Sequence, residues 1–314
     1  MTGGPELAHQ LADVLNRDFR RAWMLYLPVN EQHAIPEVYL RYNVGSARLE
    51  DVEPGSIVIV PEIYPQLIRK FPKAEIYFWW LSVDNFFAHA GYTIPGRVIG
   101  AQRVAKIQLG RLRTTVDRHL YQSDYAREFL ESVALGPSDR VSDYLAAEYV
   151  QAIATPPTTQ RQNILAYNPA KGIERTELIL RALRASGRPM PEIIPISEMS
   201  RDQICDLFAR AKVYIDFGGH PGKDRLPREA AAFGACVVAN RRGSASNATD
   251  MPIPEDLKID DRMPGFEKLA ADRIHLLMDD FRRQAGRFDD YRQSIAREPA
   301  AFLNDVRSAF PADL

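Results

Sequence analysis

Val213-Tyr-Ile-Asp-Phe-Gly-Gly-His-Pro-Gly-Lys-Asp-Arg-Leu-Pro-Arg-Glu-Ala-Ala-Ala-Phe-Gly-Ala-Cys-Val-Val-Ala-Asn240 reads as strand, glycine-rich loop, short helix and strand. The run from Val213 to Ile215 is β-branched and aromatic. Gly218, Gly219 and Gly222 allow a sharp turn and close approach to a ligand. Pro227 suits a first helical turn, Gly234 is placed to end that helix, and Cys236 opens a short apolar run of the kind buried in a parallel sheet. A helix N-terminus attracts anions. Helix-dipole chemistry favours acids there, so the crowding of Lys223, Arg225 and Arg228 points to an anionic ligand, most simply a phosphate.

A P-loop is the competing reading of Gly218-Gly-His-Pro-Gly-Lys-Asp224. It fails because the first glycine lies one residue too near the lysine. Asp224 also stands where a magnesium-binding hydroxyl is needed.

The chain has 314 residues, which predicts two domains. Its formal net charge of -1 gives no general attraction to nucleic acid. Cys205 and Cys236 both fall in apolar surroundings and read as reduced core residues of a cytoplasmic protein. No apolar run reaches the ~18 residues that span a bilayer. The six histidines are scattered without metal-ligand spacing, so no metal is expected.

Elsewhere strands and helices alternate, which predicts parallel α/β domains. In the first half, a Gly-Gly-Pro loop runs straight into a helix carrying Leu7, Leu11 and Leu15. Such a loop normally follows a strand, so the first strand is expected to be missing. The strongest strands are 56–60 and 76–83, and a weaker one is read at 106–109. A helix capped near Ser123 follows Leu120 and Tyr121. Ser82, Asp84 and Asn85 fall just beyond a strand C-terminus, where ligands bind in such sheets. Residues 85–116 contain no acid but include Arg97, Arg103, Lys106, Arg111 and Arg113. Residues 97–113 are therefore a candidate peripheral membrane contact.

A Pro/Thr-rich linker at 155–162 opens the second half. Strands follow at 163–167 and 192–196, with helices at 174–186 and 200–211. Residues 251–265 read as irregular, and helices at 266–280, 281–296 and 299–310 close the chain. Lys171-Gly172 repeats the theme of a basic loop at a helix N-terminus. Two cationic loops at one sheet edge suit a diphosphate better than either alone.

This pattern resembles the GT-B fold glycosyltransferases. The resemblance rests on the Lys171-Gly172 loop, on Leu226-Pro-Arg-Glu-Ala230 before the Gly-x-x-Val-Val strand, and on the early Gly-Gly. Its specific part is confined to residues 163–247. It implies two Rossmann-like α/β domains facing across a cleft. The expected bounds are 1–155 on the acceptor side, 156–295 for the donor, and a C-terminal helix at 296–314 crossing back. It implies a nucleotide-diphospho-sugar donor of UDP or GDP type, no further cofactor, and transfer to a glycan or lipid-linked acceptor in polysaccharide or glycoconjugate synthesis. Lys171, beside Gly172, would reach the diphosphate and Glu229 the ribose. The loop from His220 through Gly222, Lys223 and Asp224 to Arg225 would cover the sugar and phosphates. Gly243, Ser244 and Asn247 would belong to a loop closing on the donor. The sequence departs from the family at Pro221, where retaining members carry an acid eight positions before Glu229, and in lacking an arginine shortly before Lys171.

Breaking a sugar–phosphate bond builds charge on the leaving diphosphate, and preorganised cations stabilise it. Lys171, Lys223 and Arg228 are assigned that role. An inverting reaction would also need an acceptor base, for which Asp84 and His89 are candidates. Two alternatives stay open: a nucleotide-sugar epimerase of the same architecture, and a catalytically degenerate nucleotide-binding partner subunit.

Overall fold

A computed structural model describes residues 3–18, 20–89 and 101–311, with backbone only for 89 and 101–105. Two compact units emerge: Met1–Asp143 with Pro299–Leu314, and Tyr144–Glu298.

The first unit begins with α1 (Gly3–Asp18), followed by β1 (Trp23–Leu25) and β2 (Gly45–Ala47), a parallel pair. Four further strands, β3 (Ile57–Pro61), β4 (Glu75–Trp80), β5 (Arg118–Tyr121) and β6 (Ser138–Arg140), form a parallel sheet in that order. Between them lie α2 (Val83–His89), α3 (Ala101–Thr115) and α4 (Asp124–Ser132). Ser123 caps α4 by accepting from the Ala126 N–H at 3.2 Å, as its sequence predicts. The strand expected at 106–109 is instead part of α3. Leu109, Leu112 and Val116 recur at helical spacing and pack on the core, so the longer 3.6-residue period overrides four alternating residues. Residues 91–100, read as a loop, lie outside the described residues.

The second unit opens with α5 (Ala147–Ala154), so the 155–162 linker lies within this unit and not at its edge. The reason is packing: Leu145 and Tyr149 join its core, and Tyr149 meets Phe233 edge-on. Then come β7 (Gln162–Tyr167), α6 (Ile173–Ala185), β8 (Glu192–Pro195), α7 (Arg201–Arg210), β9 (Ala211–Asp216), α8 (Arg225–Ala232), β10 (Cys236–Asn240) and β11 (Lys258–Ile259). The stretch 251–265 thus contains a short strand. Helices α9 (Phe266–Asp279), α10 (Phe281–Gly286) and α11 (Asp289–Ala309) follow. The break expected before Pro299 falls earlier, at residues 287–288, and Pro299 lies inside α11.

All neighbouring strands in this sheet are parallel, in the order β11-β10-β9-β7-β8. Chain order therefore reverses between β7 and β9, the switch point where a crevice opens beyond the strand ends. Val213, Ile215, Val237 and Val238 are fully buried, which explains their unbroken apolar runs. Each such side chain contributes about 1.5–3 kcal/mol by leaving water. Arg161, read as linker, ties this layer together. It donates to the carbonyls of Phe208 and Ala211 at 2.6 and 2.8 Å and to that of Phe233. Among the described residues no helix is long and apolar enough to cross a membrane.

Candidate active site

Three loops meet at the C-terminal edge of the second sheet, and their glycines set how closely. Gly172 precedes α6 with φ +63, and an added Cβ would lie 2.0 Å from the Phe217 carbonyl oxygen. Gly243 has φ +50, and its Cβ would lie 2.0 Å from the His220 carbonyl oxygen. Only glycine permits both the left-handed backbone and the contact. The loops after β7 and β10 therefore rest backbone to backbone on the loop after β9. Ser244 adds its N–H to the His220 carbonyl at 2.9 Å and its hydroxyl to the Gly222 carbonyl at 2.5 Å. Asn240 donates to the Gly218 carbonyl at 3.1 Å.

At this junction Lys171 Nζ lies 2.6 Å from Asp224 Oδ1. Asp224 Oδ2 is 2.9 Å from His220 Nδ1, while His220 Nε2 is 3.2 Å from the Asp216 carbonyl oxygen. Both imidazole neighbours are acceptors, so only the doubly protonated ring satisfies both. Burial opposes that charge, but the Asp216 and Asp224 carboxylates outweigh it and raise the His220 pKa. Burial likewise works against Asp224 ionisation, yet His220 and Lys171 hold its carboxyl down at about 2. For Lys171, burial is overcome by Asp224 and Asp216, which raise its pKa. Asp224 is the N-cap residue of α8 without capping it by its side chain, because that carboxylate is engaged by Lys171 and His220.

Asp216, His220 and Asp224 present ligand-type atoms within 4.8 Å of one another, a grouping the scattered histidines did not suggest. The grouping suits hydrogen bonding better than a metal. Asp216 already accepts from the Gly218 N–H and the Tyr214 hydroxyl, and both His220 nitrogens act as donors.

Lys223 and Arg228 both pair with a carboxylate of the protein, that of Glu298. Arg228 is 1% exposed. Its Nη1 donates to Glu298 Oε2 at 2.9 Å, and its Nε and Nη2 to the Asp224 and Lys223 carbonyls. Lys223 Nζ lies 2.9 Å from Glu298 Oε1. Two cations flanking a loop need a counter-charge once buried, and Glu298, read only as helix, supplies it. Arg225 Nε lies 3.6 Å from Glu229 Oε1, while its Nη1 is buried and has no hydrogen-bond partner among the described residues. Burial raises the Glu229 pKa against the pull of Arg225 and Arg228. Asn247 turns inward on its own loop, accepting from the Thr249 and Asp250 N–H groups.

In the first unit, Asp84 follows β4 and accepts from the Tyr125 hydroxyl at 2.8 Å; burial raises its pKa. Ser82 caps α2 by accepting from the Asn85 N–H. The His89 side chain lies outside the described residues.

No protein-family model and no curated protein matches this sequence. Several solved structures do. A variant of S. aureus TarM bound to fondaparinux, α-GlcNAc-glycerol and UDP aligns with a TM-score of 0.57 at 12% identity, over 84% of this chain and 57% of its own. Sucrose-phosphate synthase from Thermosynechococcus elongatus aligns at 0.57 and 13% identity, over 98% and 94% of the two chains. The chain has the GT-B glycosyltransferase fold. A third GT-B enzyme, the pneumococcal O-GlcNAc transferase GtfA bound to UDP and GlcNAc, aligns at 0.56 and 12% identity over 83% of this chain and 57% of its own. This chain thus spans a little over half the length of TarM and GtfA.

Proposed function

We propose that this protein transfers a sugar from a nucleoside-diphosphate sugar to an acceptor hydroxyl, with the donor diphosphate at the β7/β9 switch point. The observation that carries this reading is Lys171, held at that edge by the Gly172 contact and set beside the α8 N-terminus. In the reaction the bond from the anomeric carbon to the diphosphate oxygen breaks. The acceptor oxygen bonds to that carbon, and the acceptor proton leaves to a base. Lys171 and the α8 N–H groups stabilise the departing diphosphate without a metal. Arg225, beside Glu229, adds a cation at the same helix. Lys223 and Arg228 act one step back by fixing the loop through Glu298. Glu229 holds the ribose, and Asp84 serves as the acceptor base of the first unit, its raised pKa favouring proton uptake.

TarM and GtfA are both bound to UDP, which makes a UDP-type donor the first to test and a GDP-type donor the second. The acceptor is a glycan or a lipid-linked glycan, and the compartment is the cytoplasm. Peripheral membrane contact is assigned to α3, whose outward residues include Lys106, Ile107 and Arg111.

Calorimetric titration of UDP and GDP into wild type and Lys171→Ala tests the assignment. The variant should bind at least about tenfold more weakly, the effect of losing one charge-assisted hydrogen bond, while still unfolding in a cooperative transition above the assay temperature. Equal affinity would remove Lys171 from the site. Product analysis by NMR with donor alone then separates transfer from epimerisation.

A further inference from the structure

Asp261, which follows β11, holds two arginines. Its side chain is 1% exposed, with Oδ1 accepting from Arg242 Nε at 2.5 Å and Oδ2 from Arg175 Nε. The three residues come from three loops of one sheet edge. Arg175 lies in the first turn of α6, where its N–H donates to the Gly172 carbonyl at 3.2 Å. Arg242 directly precedes Gly243, whose backbone rests on His220. The Asp261 N–H donates to Asn240 Oδ1, and Asn240 Nδ2 donates to the Gly218 carbonyl, so hydrogen bonds link the Asp261 backbone to the loop beside Lys171.

A carboxylate has two oxygens, and both are taken by Nε atoms. Among the described residues no hydrogen bond engages the terminal Nη groups of either arginine, and the side chains are 40% and 36% exposed. Two guanidiniums on one carboxylate leave a net positive charge. The Lys171–Asp224–His220–Asp216 group has none to spare, because its two cations face two carboxylates. A diphosphate brings at least one negative charge per phosphoryl group, more than Lys171 alone offsets.

We propose that Arg175 and Arg242, positioned by Asp261, form a second cationic arm that binds phosphoryl oxygens of the nucleoside diphosphate. The inference rests on the donor reading above and adds to it the residues that complete its charge. Guanidinium forks match phosphoryl oxygens in pairs, and the hydrogen bonds to Asp261 run through Nε alone. Asp261 is a positioning residue, since it touches the arginines and not the ligand.

The test is calorimetry with UDP, inorganic pyrophosphate and uridine on wild type, Arg175→Gln, Arg242→Gln and Lys171→Ala. Arg188→Gln, which breaks a surface pair with Asp279 in the same unit, is the control. Arg175→Gln and Arg242→Gln should each weaken UDP and pyrophosphate about tenfold, leaving uridine unaffected, and Arg188→Gln should match wild type. If either glutamine variant lowers the melting temperature, the lysine variant replaces it and should retain part of the affinity. Wild-type affinity for UDP in both arginine variants, with the loss confined to Lys171→Ala, would overturn the proposal while sparing the donor site. If wild type bound neither UDP nor GDP, the donor reading would fail. In that case, loss of pyrophosphate binding in Arg242→Gln would keep the arm as a polyphosphate site, and absence of pyrophosphate binding would remove it.

Discussion

Glu62 follows β3 at the C-terminal edge of the first sheet and is 3% exposed. Its Oε2 accepts from the Leu81 N–H at 3.1 Å, and no ion pair engages it among the described residues. Burial pushes the carboxyl up to about 7 from 4.5, partly offset by the Leu81 N–H and its own backbone N–H. A folded pKa above the unfolded one means the native state holds the proton more tightly. The resulting stability is fully present below pH 4.5 and is lost as pH rises through about 7. At 1.36 kcal/mol per pH unit, that interval amounts to about 3 kcal/mol, a substantial part of the 5–15 kcal/mol typical of a domain. Glu62→Gln keeps an acceptor for Leu81 and cannot ionise. Relative to wild type it should be nearly neutral at pH 4.5 and about 3 kcal/mol more stable at pH 8, with the gap opening between. Urea unfolding followed by tryptophan fluorescence reads this directly, because Trp23, Trp79 and Trp80 all lie in the first unit. Other titrations cancel in the difference between the two proteins. A difference that does not change with pH, or a variant less stable than wild type at pH 8, would refute the argument.

Glu298→Gln should destabilise the second unit by about 3 kcal/mol, because Arg228 would be left buried beside a neutral partner; an unchanged calorimetric transition would contradict this. Gly172→Ala forces a left-handed alanine against the Phe217 carbonyl, with an expected cost of about 2–4 kcal/mol and weakened UDP binding. Gly219→Ala, with nothing within 4 Å of the new Cβ, is its control, and equal behaviour of the two in thermal unfolding would undo the explanation. For α3, Lys106→Glu with Arg111→Glu should reduce sedimentation with phosphatidylglycerol vesicles by roughly fivefold or more per charge, at about 1 kcal/mol for each base. Equal sedimentation with phosphatidylcholine vesicles, or binding by RNA alone, would exclude an anionic membrane as the partner.

Local features of this chain are written locally. The fully buried strands β9 and β10 declare themselves as unbroken apolar runs, and Ser123 and Ser200 mark helix starts because a cap acts within three residues. Gly172 and Gly234 are legible for a similar reason, since a left-handed turn asks for glycine whatever surrounds it. Pairings between distant residues are not legible in this way. Arg228 and Glu298 lie 70 positions apart, and nothing in a helical stretch near the end of the chain marks one glutamate as the partner of a loop. Arg161 resembled a linker residue because its three carbonyl acceptors belong to other elements. Asp216 and Asn240 carried a usable signal in their position at strand C-termini. Asp261 carried none beyond a charged pair in a segment without periodicity.

The same distinction explains why the basic residues divide as they do. A cation at a helix N-terminus opposes the helix dipole, so it persists there only with a compensating anion from the protein or from a ligand. At α8 the protein supplies one through Glu298, which buries Arg228 and Lys223 and converts them into loop anchors. At the α6 loop the protein supplies Asp224, but that carboxylate is shared with His220, and Lys171 remains 42% exposed. Arg175 and Arg242 share a single Asp261. Charge left over at a sheet edge therefore accumulates on Arg175 and Arg242, away from the motif whose composition first drew attention. Counting bases in a glycine-rich loop points to one edge of the sheet. Following each base to its acid separates those that hold the loop from those still able to hold a ligand.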